Sequence, residues 1–168
     1  ADIEFKFPFG FKELEGIHSR TDFDLGAHEK YSGRKLQYFD PERNETYVPY
    51  VVETSIGLDR MFLALFSHCL KNEVLEDGSE RVVLALPPAL APVKAAILPL
   101  VKKDGLPELA EKIFNDLKYD FNIISEEKDS IGKRYRRQDA IGTPFCITVD
   151  HDSLADGTVT LRERDTMK

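Results

Sequence analysis

Residues 95–125 read AAILPLVKKDGLPELAEKIFNDLKYDFNIIS, and the hydrophobic period changes twice inside them. Residues 95–101 form a nearly unbroken apolar run, the pattern of a buried strand. Pro107 stands where the first turn of a helix tolerates it, and Leu109, Ala110, Ile113, Phe114 and Leu117 then share one helical face. Residues 121–124 return to a short strand. Downstream, Asp129 or Ser130 can cap a second helix that ends near Gly142. Residues 145–149 and 158–162 read as strands, expected to be joined across an Asp156-Gly157 turn. Upstream, residues 82–86 form a buried strand closed by Pro87-Pro88. This succession predicts a mixed α/β sheet with helices over it, in a chain that is α+β overall.

Further upstream the pattern differs. Ile3-Glu4-Phe5-Lys6-Phe7 alternates apolar and charged residues, as a half-buried strand does, and Pro8 and Gly10 interrupt it. Residues 47–53 (YVPYVVE) form another strand candidate, with Pro49 pointing to an edge or a strand start. A helix follows, because Leu58, Met61, Phe62, Leu65, Phe66, Cys69 and Leu70 keep the spacing of a single face. Residues 71–80 (KNEVLEDGSE) are polar, acidic and carry an Asp77-Gly78 turn signal. They are expected to separate a unit at 1–75 from a second at 80–168.

Composition narrows the function classes. Of the 168 residues 42% are hydrophobic and 32% charged, which fits one medium domain or two small ones. No apolar run reaches the roughly 20 residues of a membrane span. Cys69 and Cys146 cannot build a disulfide framework and no C-x-x-C pair offers a zinc site, which suits a reducing cytoplasm. The chain begins at Ala1 with no signal-peptide pattern, and an excised piece is the expectation. The net charge of −7 lies wholly in residues 1–80, since residues 81–168 balance acids against bases. DNA and membrane surfaces are therefore poor partners, and any RNA contact must come from a local cluster. Lys133, Arg134, Arg136 and Arg137 supply one.

Three constellations could carry chemistry. In Glu53-Thr54-Ser55-Ile56-Gly57-Leu58-Asp59-Arg60, Gly57 removes a side chain where the backbone comes close to a neighbour. Arg60, in the first helical turn, can meet a phosphate with its planar fork. Glu53 can accept from an ammonium, with the Ser55 hydroxyl beside it. On spacing alone Glu53 and Ser55 would merely cap the helix and Arg60 would be a solvated charge. Residues 13–25 (ELEGIHSRTDFDL) alternate acids with an arginine, and such carboxylates could hold magnesium, although a solvated strand face gives the same pattern. The third is the basic helix with Tyr135, joined by Arg162 and Arg164 from one strand face. It could meet an unpaired RNA loop, or be a solvated face paired with Glu126, Glu127 and Asp139.

These segments resemble a known family. Glu13-Leu14-Glu15-Gly16-Ile17, Arg20-Thr21-Asp22-Phe23-Asp24-Leu25, His28 and Ser32-Gly33 look like the region preceding motif 3 of class II glycyl-tRNA synthetases. Residues 48–60 look like motif 3 itself, its Glu53-Thr54-Ser55 opening pointing to glycine. Ala89-Leu90-Ala91-Pro92 with Lys94, residues 130–135 with Arg137 and Asp139, and Leu161-Arg162 with Arg164-Asp165 are similar to the anticodon-binding domain of the same enzymes.

The resemblance implies activation of glycine by ATP and its transfer to tRNA(Gly). Arg60 would hold the ATP phosphates, with Glu13 and Leu14 in the ATP site and Glu13 helping to bind Mg2+. Glu53, Thr54 and Ser55 would form the glycine site, with Arg20 in the same pocket. Lys133, Arg134, Arg136, Arg137, Arg162 and Arg164 would meet the anticodon loop. Residues 1–75 would be the remnant of an antiparallel catalytic sheet with its motif 3 helix. The family's motifs 1 and 2, which supply the dimer contact and another ATP-binding arginine, have no counterpart in the chain. A carboxy-terminal part, inactive alone, of a cytoplasmic homodimer is thus expected. The family also continues into a helix past the last strand, so an uncovered apolar strip near Val159 and Leu161 is expected. The rivals are a non-catalytic synthetase-like accessory protein of a mitochondrial DNA polymerase and a free-standing RNA-binding module.

Overall fold

The computed structural model describes all residues, 1–168, which form two compact units dividing between Ala64 and Leu65. The first contains β1 (Asp2–Phe7), β2 (Gly10–Thr21), α1 (Phe23–Ser32), β3 (Tyr38–Asp40), β4 (Glu45–Tyr47) and β5 (Val51–Ile56). α2 (Leu58–Cys69) runs through the division. β1, β2 and β5 make an antiparallel sheet in that order, and β3 pairs with β4 as a separate hairpin.

β2 carries an extra residue at two points. Glu4 pairs with Glu13 while Ile3 pairs with Glu15, so Leu14 is bulged. Ser19 pairs with Val52 while Thr21 pairs with Val51, so Arg20 is bulged. A bulge re-aims the side chains on either side of it. The second is followed by Thr21 at φ 52°, left-handed backbone that a β-branched residue rarely adopts. There the chain leaves the sheet and enters α1. Neither α1 nor the β3–β4 hairpin is foreshadowed in the sequence, because α1 buries no residue and so has no apolar stripe.

The second unit contains β6 (Leu70–Val74), β7 (Glu80–Leu84), β8 (Ala95–Pro99), α3 (Leu106–Leu117), β9 (Ile123–Ser125), α4 (Ile131–Ile141), β10 (Phe145–Val149), α5 (His151–Asp156) and β11 (Thr160–Glu163). The sheet runs β11-β10-β8-β9, with β8 parallel to β9 and β10, and β11 antiparallel to β10. Alternation splits the core into two layers. Ile97, Ile123 and Val149 pack with Leu106 and Ala110 of α3. Ala96, Leu98 and Cys146 pack with Ile131 and Tyr135 of α4. The mixed α/β architecture thus follows the periods in residues 95–149.

Three expectations are corrected. The stretch 71–80 is no linker: β6 and β7 pair through it as a hairpin, with Gly78 at φ 78° and Asp77 accepting from the Ser79 N–H and hydroxyl. β7 consequently lies outside the mixed sheet. Asp156-Gly157 is not a hairpin turn, because α5 intervenes between β10 and β11. Asp150 and Ser153 cap that helix reciprocally, and Gly157 ends it in the left-handed region. Val159 and Leu161 are exposed as expected, Leu161 beside an apolar cleft of about 540 Å³ lined also by Pro88, Ala95, Leu117, Phe121 and Phe145.

Candidate functional site

The first candidate site lies on one face of the β1-β2-β5 sheet. Residues opposite one another in an antiparallel pair project to the same side, so Gly16 and Ser55 share a face, as do His18 and Glu53. The bulge at Leu14 brings Glu13 onto that face as well, with its carboxylate 3.7 Å from the position a Gly16 Cβ would take. That Cβ would also sit 2.6 Å from the His18 ring, so a larger residue at 16 would displace the imidazole. Arg20, two residues past His18, lies on the same side and approaches Glu53 at 3.5 Å. Sequence neighbours of different parity are thereby collected on one surface: Glu13, His18, Arg20, Glu53 and Ser55.

Arg60 reaches the same strand from α2, and its Nη1 donates to the Glu13 carbonyl at 2.5 Å. Glu13, Leu14 and Arg60 are thus brought together. Thr54 is not, because it pairs with Ile17 on the opposite face and can offer the site only its backbone. The expected steric need for Gly57 is also absent: a Cβ there would meet the Arg60 methylenes at 3.7 Å, an ordinary contact. Asp24, in the first turn of α1, binds Arg20 through two hydrogen bonds of 2.8 and 3.2 Å. The Arg20 guanidinium holds the Asp24 carboxyl below the usual carboxylate range. No spacing rule singled out Asp24; the signal was the Arg20–Asp24 separation of four across a strand-to-helix junction.

The second candidate site lies at the carboxyl ends of the parallel strands β8, β9 and β10. α3 and α4 cover opposite faces of the sheet, and open α/β sheets bind ligands in the crevice beyond the carboxyl ends of their strands. Lys102 and Lys103 follow β8, Lys128 follows β9, and Lys133 lies in the first turn of α4, all four exposed. Arg136 and Arg137 are half-buried on the same helix. Arg137 pairs with Glu126 and Asp129, which raise its pKa, and its guanidinium lowers that of Asp129.

Three arginines of the expected RNA contact are internal instead. Arg134 is 2% exposed and donates to the carbonyls of Pro99, Leu100 and Glu126. Arg164, also 2% exposed, donates to the carbonyls of Leu84, Leu86 and Gly142 and pairs with Asp165. Arg162 forks onto the fully buried Asp139 at 2.9 and 3.1 Å and lies 4.7 Å over the Tyr135 ring. Arg81 completes that pair from β7, 3.2 Å from Asp139. A guanidinium already ringed by carbonyls or a buried carboxylate has few donors left for a nucleotide, so Arg134, Arg162 and Arg164 hold the domain together. The buried Cys146 thiol, pushed up to about 11 chiefly by burial, is no nucleophile at neutral pH.

Residues 94–168 match the family model of an anticodon binding domain. The chain is 59% identical over 165 residues, 98% of its length, to the glycine–tRNA ligase of Chlorobaculum tepidum, and 58% identical over 168 residues to that of Macrococcus caseolyticus. Along nearly its whole length the chain is thus similar to one part of the glycine–tRNA ligases. It spans 35% and 36% of those two proteins, about a third of the length of the curated relatives it matches. The fold is shared more widely among tRNA synthetases. The RNA binding domain of threonyl-tRNA synthetase from Cryptosporidium parvum Iowa II superposes with a TM-score of 0.70 at 21% identity, covering 98% of this chain and 37% of that one. Giardia lamblia prolyl-tRNA synthetase in complex with prolyl-adenylate gives 0.61 at 20%, covering 99% and 33%. At those identities the likeness is one of fold.

Proposed function

We propose that this chain serves as part of a glycine–tRNA ligase, carrying one wall of the site where glycine and ATP form glycyl-adenylate and the domain that grips the anticodon loop of tRNA(Gly). The observation that carries this reading is identity above one half along nearly the whole chain to enzymes of that name, together with the anticodon binding domain at 94–168. In this reading the Glu53 carboxylate accepts from the ammonium of glycine and the Ser55 hydroxyl lies beside it. Glycine offers no side chain to grip, so selectivity comes from leaving no room for a larger one. The bare Gly16 opposite Ser55, with the His18 ring folded over it, suits such a wall.

Arg60 presents its remaining donors to the ATP phosphates, where charge develops during adenylate formation. Magnesium, which supplies charge neutralisation at those phosphates, fits the donor set as an ion carried by the nucleotide. No group of three or more His, Cys, Asp or Glu could cage it, and Glu13 offers one carboxylate. Glu4 stands directly across from Glu13, an unfavourable like-charge pair that a nearby cation relieves.

At the other site Lys102, Lys103, Lys128, Lys133, Arg136 and Arg137 take the anticodon loop. The exposed lysines hold phosphates, and the half-buried arginines lie near enough to stack on unpaired bases. No helix of the structure is long and apolar enough to cross a membrane; we propose separately that the complete enzyme works as a homodimer in the cytoplasm.

The 168-residue chain is expected to bind tRNA(Gly) more tightly than an unrelated tRNA, yet to give no ATP–pyrophosphate exchange with glycine. Filter binding and an exchange assay test both halves. Equal affinity for the two tRNAs favours a non-catalytic RNA-binding protein, and exchange at the rate of an intact ligase overturns the half-site assignment.

A further inference from the structure

We propose that Asp24 is a positioning residue for the amino-acid site, acting through Arg20 on Glu53; the inference rests on Glu53 being the ammonium acceptor of the preceding reading. Asp24 grips the Arg20 guanidinium with two hydrogen bonds, 2.8 Å from Nε and 3.2 Å from Nη2. The same Nε lies 3.5 Å from Glu53 Oε2, so Glu53 feels the guanidinium charge beside Asp24 without taking its hydrogen bond. A planar fork fixed along one edge has one orientation, whereas a free arginine side chain samples many. Glu53 therefore meets a cation of fixed direction on Oε2.

The backbone is shaped to make this relay. Arg20 is the bulged residue of β2, and the next residue, Thr21, takes φ 52°. Such a conformation is strained for a residue other than glycine and persists only where its surroundings fix it. There the chain turns into α1, whose first turn sets Asp24 within hydrogen-bond distance of Arg20. Asp24 does not cap α1, whose N-cap is Asp22 with no side-chain cap bond. The other charged groups around the relay are His28, on α1, and Glu53 itself.

Because the ammonium is bound alike before and during adenylate formation, loss of the relay should appear in KM for glycine and leave kcat in place. In the complete ligase containing these residues, Asp24→Asn is expected to raise KM for glycine by about tenfold in ATP–pyrophosphate exchange, with KM for ATP and kcat within about twofold. Asp24→Glu should recover most of the loss. In an Arg20→Lys background, which keeps the charge but removes the fork, Asp24→Asn should add less than about twofold, because the two act as one unit. A merely structural role for Asp24 would lower the active fraction and leave one substrate's KM no more affected than the other's.

Glu53→Gln separates the two levels of argument. If it raises KM for glycine strongly while Asp24→Asn leaves it unchanged, the relay is refuted and the glycine site stands. If Glu53→Gln itself has no effect on KM for glycine, the underlying site assignment fails. Should Asp24→Asn not fold, Arg20→Lys alone decides, since it leaves α1 untouched: an unchanged KM for glycine overturns the proposal.

Discussion

The arginines of the two units do different work. In residues 1–64, Arg20 and Arg60 lie on an open sheet face, and each reaches at most a carboxylate pair or a single carbonyl. In residues 65–168, Arg81, Arg134, Arg162 and Arg164 are at most 8% exposed and are bonded to carbonyls, to Asp139, or to both. A charge run in a sequence therefore says nothing about whether its donors are available. What decides is how many strand ends and loops converge on the residue. The ends of β7, β8 and α4 leave carbonyls that no ladder satisfies, and the buried arginines satisfy them.

That contrast breaks most visibly at Asp139. Its carboxylate is fully buried between Arg81 and Arg162. Asp139→Ala leaves two buried guanidinium groups without their anion, and breaking such a pair costs about 3–5 kcal/mol. Against a domain stability of about 5–15 kcal/mol this is a large share. Urea unfolding should show the second unit collapsing at a much lower midpoint. Arg60→Ala, on the open face, should change stability by no more than about 0.5 kcal/mol. Comparable losses from the two variants would erase the distinction.

A smaller effect sharpens the same contrast within α4. Lys133 is exposed and Arg136 and Arg137 are half-buried, whereas Arg134 on the same helix is sealed against Pro99 and Leu100. Replacing the first three with Ala should weaken tRNA binding by about tenfold at low salt and flatten the dependence of log K on log salt by about 1, the share of Lys133 as the phosphate contact. The fold should be retained. Unchanged affinity at both low and high salt would remove the crevice from the RNA interface.

Much of the second unit was legible because its core is made by period. The run 95–101 and the stripe Leu109–Ala110–Ile113–Phe114–Leu117 each obey one spacing, and burial follows it. The first unit was legible only in part. Its site takes in Glu13 through a bulge, and a bulge changes the parity of everything beyond it while leaving the sequence pattern intact. Glu13 and Ser55 were read as belonging together from a family likeness, and parity alone would have placed Glu13 on the face opposite Gly16. The reverse error befell Arg134, Arg162 and Arg164. Their spacing was read correctly, but the carbonyls that bind them come from residues far off in the chain, such as Leu84 and Pro99.

The smallest effect separates the units by acid. Arg20 lowers the pKa of Asp24 in the first unit. In the second, Ser79 lowers that of Asp77, Arg137 that of Asp129, Thr158 that of Asp156 and Arg164 that of Asp165. A carboxyl held below its unfolded value stabilises the fold fully above that unfolded value, about 3.9 for Asp. The contribution is lost as pH falls through the lower, folded value. Both units should thus keep constant stability from pH 7 to about 5 with respect to these groups and lose it below about 4. The second unit holds more such groups and should lose more. Amide hydrogen exchange, followed residue by residue from pH 7 to 3 and corrected for intrinsic rates, separates the two. Added salt should reduce the share due to Asp24, Asp129 and Asp165, whose partners are guanidinium ions, and spare that of Asp77 and Asp156, whose partners are hydroxyls and backbone N–H groups. Protection in the second unit that grows on acidification would contradict the sign of all four shifts at once.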